Sequence, residues 1–203
     1  MNGTPSSGLR VIVLAAGLSS RLGQPKALVR VHGISLLQRT VHLAATLKPS
    51  GITVVLPRNA ARYRIETRGN RISFAVNLQP ARGLSGSVRR GVRAARYSRA
   101  LLFLPVDLND LKQRELARLV ARWRGSPRHV IARRIGRRGA TPLLLPHWLF
   151  ARALRIAGDV GLRDLIGQLP DDARVLVDMP SAARDIDTPL ELKKARRRFR
   201  PRS

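Results

Sequence analysis

From Ala15 to Lys26 the chain reads Ala-Ala-Gly-Leu-Ser-Ser-Arg-Leu-Gly-Gln-Pro-Lys, a composition suited to holding an anion. Gly17 and Gly23 let backbone amides approach a ligand closely, Ser19 and Ser20 add small hydroxyl donors, and Arg21 and Lys26 place two cations beside them. A run of phosphates is the anion that would use all of these groups at once. No carboxylate occurs before Glu66, so nothing close in sequence neutralises the two cations. Glycines and serines alone would describe a plain surface turn; Arg21 and Lys26 are what distinguish this one. The spacing is neither the Gly-x-Gly-x-x-Gly of dinucleotide sites nor the Gly-x4-Gly-Lys-Ser/Thr of a Walker loop.

A loop of this kind needs a rigid element on either side. The β-branched run from Arg10 to Ala16 predicts a buried parallel strand leading straight into it. Further strands are predicted at Ile52–Leu56, Ile72–Val76, Ala100–Pro105, 129–135 and Arg174–Asp178, with an extended run at Pro142–Leu145. Helices are predicted over 36–47 (capped by Ser35), 85–97, 112–124, 147–156 and 161–169, and another opens after Asp187-Thr188-Pro189. This alternation predicts an α/β fold, a three-layer α/β/α sandwich on a mostly parallel sheet, with ligands at the carboxyl ends of the strands. The 203 residues suit one domain over 10–192, flanked by a flexible lead-in at 1–9 and a basic tail at 193–203.

Charge sets the class of partner. There are 39 basic residues against 12 acidic ones, a net +27, and only five of the basic residues are lysine. Such a field suits nucleotides, nucleic acid or phospholipid headgroups, although a compositional bias toward arginine would give the same count. The absence of cysteine excludes disulfides, thiolate zinc sites, iron–sulfur clusters and a thiol nucleophile, and agrees with a reducing cytoplasm. The four histidines show no metal-ligand spacing, and no apolar run reaches the roughly 18 residues of a membrane span. Trp123 and Trp148 read as packing residues rather than base-stacking platforms.

Five motifs in order carry a family resemblance over about residues 10–192. Leu14-Ala-Ala-Gly-x-Ser-x-Arg-x-Gly-x-Pro-Lys-Ala-Leu resembles the signature of the nucleotidyltransferases related to molybdenum cofactor cytidylyltransferase. Asn77 with Gly83-Leu-Ser85-Gly-Ser87-Val-Arg-Arg-Gly91, Gly139-Ala-Thr-Pro142, Gly158-Asp159-x-Gly161 and Asp185-Ile-Asp187-Thr-Pro189 resemble its later motifs. The resemblance implies a Rossmann-like nucleotidyltransferase fold and transfer of a nucleoside monophosphate from a triphosphate to a phosphorylated acceptor of molybdopterin type, with release of pyrophosphate. Leu14, Ala15, Ala16, Gly17, Ser19, Ser20, Arg21 and Lys26 would then bind the nucleotide, with Arg21 and Lys26 also catalytic. Asn77, Ser85 and Ser87 would approach the nucleoside, and Asp159 the acceptor.

The same resemblance implies Mg2+ held by Asp107 and Asp187. Several of these residues have equally simple structural readings. Asp187 before Thr-Pro and Ser85 could each cap a helix, Asp107 could be a cap or a surface acid, and Asp159 could stabilise a turn. Ala16 resembles the cytidylyl branch, since guanylyltransferases carry Leu-Ala-Gly-Gly, so CTP is expected over GTP. A molybdoenzyme or its chaperone would receive the product. Two segments depart from the family. Its Gly-Asp-Gln-Pro is Val106-Asp107-Leu108-Asn109 here, and its Gly-His-Pro is Gly139-Ala140-Thr141-Pro142. Both lie toward the acceptor. The competing expectation is a catalytically weak anion- or nucleic-acid-binding module on the same fold, using the basic tail.

Overall fold

The computed structural model of the chain describes residues 6–17, 20–67, 72–79, 83–158 and 160–198. Strand β1 (Ser6–Leu14) is central. Its side chains alternate between two cores, Val11 and Val13 on one face and Ile12 on the other, as a strand covered on both faces requires. The chain continues through a small antiparallel ladder, β2 (Arg30–Val31) and β3 (Ile34–Ser35), into α1 (Leu36–Ala45). The Ser35 hydroxyl accepts the Gln38 amide at 3.1 Å, the expected cap. There follow β4 (Pro49–Pro57), α2 (Ala61–Glu66), β5 (Ile72–Asn77), α3 (Leu84–Ala94), β6 (Ala100–Pro105) and α4 (Gln113–Gly125). The remaining elements are β7 (Val130–Ile135), β8 (Arg138–Pro146), α5 (Phe150–Ala153), α6 (Leu162–Gly167), β9 (Arg174–Val177) and α7 (Pro189–Arg198).

The seven-stranded sheet has the order β5-β4-β1-β6-β8-β7-β9. Every pairing is parallel except the two made by β8, which runs antiparallel to β6 and β7. Helices α1, α4 and α7 pack on one face, where Leu36, Leu37, Leu116, Leu119 and Leu192 meet Val11, Val13, Leu102 and Leu104. Helices α3, α5 and α6 pack on the other, where Val88, Val92, Ala153 and Ile166 meet Ile12, Leu101 and Phe103. Each leucine or phenylalanine removed from water here contributes about 1.5–3 kcal/mol. Gly91 lets α3 lie down on the sheet: a Cβ there would come within 2.5 Å of Ile12 Cγ2.

Register explains why the sheet has one functional end. Leu14 lies opposite Val55 on one side and Pro105 on the other, so β1 and β6 end level. The loops that follow them therefore emerge side by side. The three-layer fold with its mostly parallel sheet is the expected one, and several local features differ from expectation. Strand β1 starts at Ser6, inside the anticipated lead-in, and Lys193 to Arg198 of the anticipated tail belong to α7. The 147–156 helix is a 3-10 turn, His147–Leu149, followed by the four-residue α5. Helix α2 and the β2–β3 ladder were not anticipated. Trp123 is buried in the core, while Trp148 is half-exposed and its Nε1 donates to the Arg128 carbonyl at 2.8 Å.

Candidate functional site

At the carboxyl ends of β1 and β6 lies a cleft of about 700 Å3. Leu14, Ala15, Ala16 and Gly17 form one wall, and Arg21, Lys26, Asp107 and Asp187 reach into it. Lys26 opens a 3-10 turn, Lys26–Leu28, whose Ala27 is buried in the core, so the lysine is held at its base and only 13% of its side chain is exposed. Its Nζ sits between two carboxylates, 3.4 Å from Asp107 Oδ2 and in contact with Asp187 Oδ1. Arg21 joins from the solvent side, 3.1 Å from Asp187 Oδ2. The two acids are about a quarter exposed and come from segments far apart in sequence.

Their environments drive the two carboxyl groups in opposite directions. Burial pushes Asp107 above the usual carboxylate range against the pull of Lys26, and the charge on Asp187 pushes the same way as burial. Burial also acts on Asp187, but the Lys26 hydrogen bond and the charges of Lys26 and Arg21 prevail and hold it below that range. Asp107 Oδ1 is buried with no hydrogen-bond partner.

Asp187 is held in place by its neighbours. The Ile186 amide donates to the Asp107 carbonyl at 3.2 Å, tying the two acid-bearing segments together. Glu191 Oε2 accepts the amides of Asp187 and Thr188, each at 2.8 Å, and the Thr188 hydroxyl at 2.9 Å. The Glu191 amide donates back to Thr188 Oγ1 at 3.3 Å, which completes a capping box. Thr188 thus caps α7, and the Asp187 carboxylate is left to face the cleft. Upstream, buried Glu115 accepts the Ser181 amide and hydroxyl, and Arg133 donates to the Ala182 carbonyl.

The other expected residues are distributed unevenly. Ser87 lines the cleft, but Asn77 and Ser85 are not among its lining residues. Asn77 is buried, donating to Ser87 Oγ at 3.0 Å and accepting the Gln79 amide at 3.1 Å, which ties α3 to the end of β5. Ser85 is not the cap of α3. That place belongs to Gly83 at φ 91°, and Ser85 is the second residue of the helix, with its hydroxyl buried and unpartnered. The Ala15 amide donates to the Val55 carbonyl at 3.0 Å, extending the sheet by one residue, so it does not serve a phosphate. Ser19 and Asp159 lie outside the described residues. Sequence reasoning missed Arg133, Arg163 and Asp185, all of which line the cleft. Among 39 basic residues the sequence offers no signal that singles out Arg133 or Arg163.

The donor set suits a small hard cation: two carboxylates meet at one point, and one carries an orphaned oxygen. Among the described residues no group of three or more His, Cys, Asp or Glu could hold a metal, so Asp107 and Asp187 would leave positions for water and phosphate. Among the described residues no helix is long and apolar enough to cross a membrane.

Residues 11–173 match the family described as MobA-like NTP transferase domain. A probable molybdenum cofactor guanylyltransferase of Rhodopirellula baltica is 32% identical over 123 residues, 59% of this chain and 58% of that protein. The chain spans about half the length of the curated relatives it matches. Among solved structures, a nucleotidyl transferase from Methanothermobacter thermautotroptrophicus superposes with a TM-score of 0.77 at 22% identity, covering 94% of this chain and 97% of that one. A Mycobacterium tuberculosis protein in complex with manganese gives 0.73 at 20% identity, covering 94% and 99%. These likenesses bear out the fold, and nothing in them supports the reading as a nucleic-acid-binding module.

Proposed function

The chain belongs to the MobA-like NTP transferase domain family, and on that footing we propose that it moves a nucleoside monophosphate from a triphosphate to a phosphorylated acceptor of molybdopterin type. The observation that carries the reading is the convergence of Lys26, Asp107 and Asp187 beside the Leu14–Gly17 wall. An acceptor phosphate oxygen attacks the α-phosphorus, the bond from that phosphorus to the bridging oxygen breaks, and pyrophosphate leaves. The attacking oxygen is already anionic, so no general base is needed and the work is positioning and charge neutralisation. Arg21 and Lys26 offset the charge that builds on the phosphates, each at about 3 kcal/mol of transition-state stabilisation. Asp107 and Asp187 would hold a divalent cation, Mg2+ or Mn2+, which supplies further charge neutralisation when bound. Ser87 lies on the nucleoside side in this reading. The product would pass to a molybdoenzyme or its chaperone.

For the base, Ala16 supports CTP, because its methyl group stands where guanylyltransferases carry glycine. The names of the curated relatives support GTP as a second reading. Pyrophosphate release with CTP or GTP, Mg2+ or Mn2+, and molybdopterin tests both. Release that requires metal and acceptor and runs faster with CTP is the expected result. Faster release with GTP reverses the base, and no release with either nucleotide overturns the transfer reading.

A further inference from the structure

Helix α4 opens without a cap of its own, since the side chain of its N-cap residue, Lys112, makes no capping hydrogen bond. Glu115, the third helical residue, stands where a capping-box glutamate would turn back to the N-cap amide. Here the Lys112 amide donates instead to the Ser181 hydroxyl at 3.0 Å, and that hydroxyl donates to Glu115 Oε2. The Ser181 amide donates to Glu115 Oε1 at 3.3 Å. A serine 66 positions away thus completes the box. Glu115 is 2% exposed, so its carboxylate is removed from water and depends on these donors. A serine at the N-cap would serve the helix alone. A serine brought from elsewhere also fixes the segment that carries it.

That segment leads to the acids of the cleft. Arg118, further along α4, donates to the Asp178 carbonyl at 2.7 Å. Met179, Ala182 and Ile186 are buried in the same core as Leu116 and Leu119 of α4. From β7, Arg133 donates to the Ala182 carbonyl, with the charges of Asp185 and Asp107 acting on its guanidinium. Downstream, the Ile186 amide reaches the Asp107 carbonyl, and Glu191 accepts the amides of Asp187 and Thr188. Residues 181–188 are therefore an arm strung between two glutamates, Glu115 on α4 and Glu191 on α7, and the arm carries Asp187. Glu115 is not among the described residues that line the cleft, so its effect there runs through Ser181.

We propose that Glu115 and Ser181 are positioning residues: the lock they form sets where Asp187 stands against Asp107 and Lys26, and so sets the affinity of the cleft for a divalent cation. This rests on reading the two acids as cation ligands, and its test uses the full chain without nucleotide or acceptor. Ser181→Ala removes the hydroxyl bridge and leaves the amide in place. Hydrogen exchange at the Ile186 amide reads the arm, and Mn2+ titration followed by the paramagnetic resonance of the free ion reads the site. Exchange at Ile186 becomes about fivefold faster and Mn2+ binding about fivefold weaker, the size of one lost hydrogen bond. Glu115→Gln, which leaves one acceptor for the two Ser181 donors, moves both in the same direction. Gly91→Ala unsettles α3 on the other face of the sheet and leaves Mn2+ affinity within about twofold. Unchanged exchange at Ile186 in Ser181→Ala overturns the lock. Faster exchange with unchanged Mn2+ affinity, or equal weakening in Gly91→Ala, reduces the contact to general stability and overturns the proposal. A wild-type chain that binds no Mn2+ refutes the cation reading of the acids and overturns the proposal with it. Mn2+ binding that weakens as expected, in a chain that releases no pyrophosphate, upholds the lock and refutes only the transfer reading.

Discussion

Replacing Lys26 by methionine keeps the length of the side chain and removes the one charge shared by Asp107 and Asp187. Breaking a fully buried ion pair from one side destabilises by about 3–5 kcal/mol. Here the lysine is 13% exposed, the acids are about a quarter exposed, and Arg21 remains 3.1 Å from Asp187. The expected loss at neutral pH is therefore smaller, about 2–3 kcal/mol, which lowers the melting temperature of a chain this size by about 4–12 °C. The sign with pH follows from Asp107. Its folded-state proton affinity is already raised by burial, and Lys26 is what pulls it down, so the variant raises it further. The penalty is thus largest above the folded pKa and shrinks as pH falls through it, because the folded state takes up the proton first. Millimolar Mg2+ without nucleotide supplies the missing charge and restores part of the stability. The assay is thermal unfolding of wild type and Lys26→Met at pH 7.5 and pH 5, with and without Mg2+. A variant as stable as wild type at pH 7.5 and indifferent to Mg2+ would refute the electrostatic coupling of these three groups.

Asp107→Asn nearly abolishes pyrophosphate release while stability stays within about 1 kcal/mol, since Lys26 keeps Asp187; full release would move the metal site to another carboxylate. Asp187→Asn lowers release by a smaller factor in the same assay. Thr188→Ala breaks the capping box and destabilises by about 1 kcal/mol in denaturant titration. The amide of Asp187, the Thr188 hydroxyl and the Thr188 amide hold Glu191 below the usual carboxylate range, so wild type loses this stability as pH falls through the folded Glu191 pKa and the alanine variant loses less. Gly91→Ala drives a methyl into Ile12 and destabilises by about 1–3 kcal/mol, which chemical unfolding would show; an unchanged midpoint would mean that α3 is free to lift from β1.

The sheet was legible because its strands are short apolar runs rich in Val, Ile and Leu, and burial on both faces demands that pattern. That Gly17, Arg21 and Lys26 share one cleft was legible because they lie close together in sequence directly after a predicted strand. Helix α2 was not, since its six residues include two arginines and only Tyr63 is buried. Nor was the two-residue pairing of β2 with β3, which is too short to show alternation. Asp187 could be read as a ligand or a cap until Thr188 was seen to take the cap. Ser85 failed as a cap because a glycine at positive φ starts α3 instead. Arg133 and Arg163 were hidden for another reason. With 39 basic residues, sequence alone gives no means of separating two that share a cleft from the many on the surface. Because β8 runs antiparallel to both β6 and β7, β7 runs the same way as β6 and carries Arg133 to the cleft end of the sheet.

Lys26 and Asp187 touch across 161 positions of chain. At ribosomal speeds of roughly 5–20 residues per second, the lysine is made on the order of 8 to 30 seconds before its partner. During that interval β1, the middle strand of the sheet, leads into a loop with two cations and no acid made before residue 66. Asp187 joins the two cations only when the segment at 185–188 has been translated and docks through the Ile186 amide. Closure of this corner is thus a late event in the life of each molecule. A ribosome stalled before residue 185 would present the cradle without its latch.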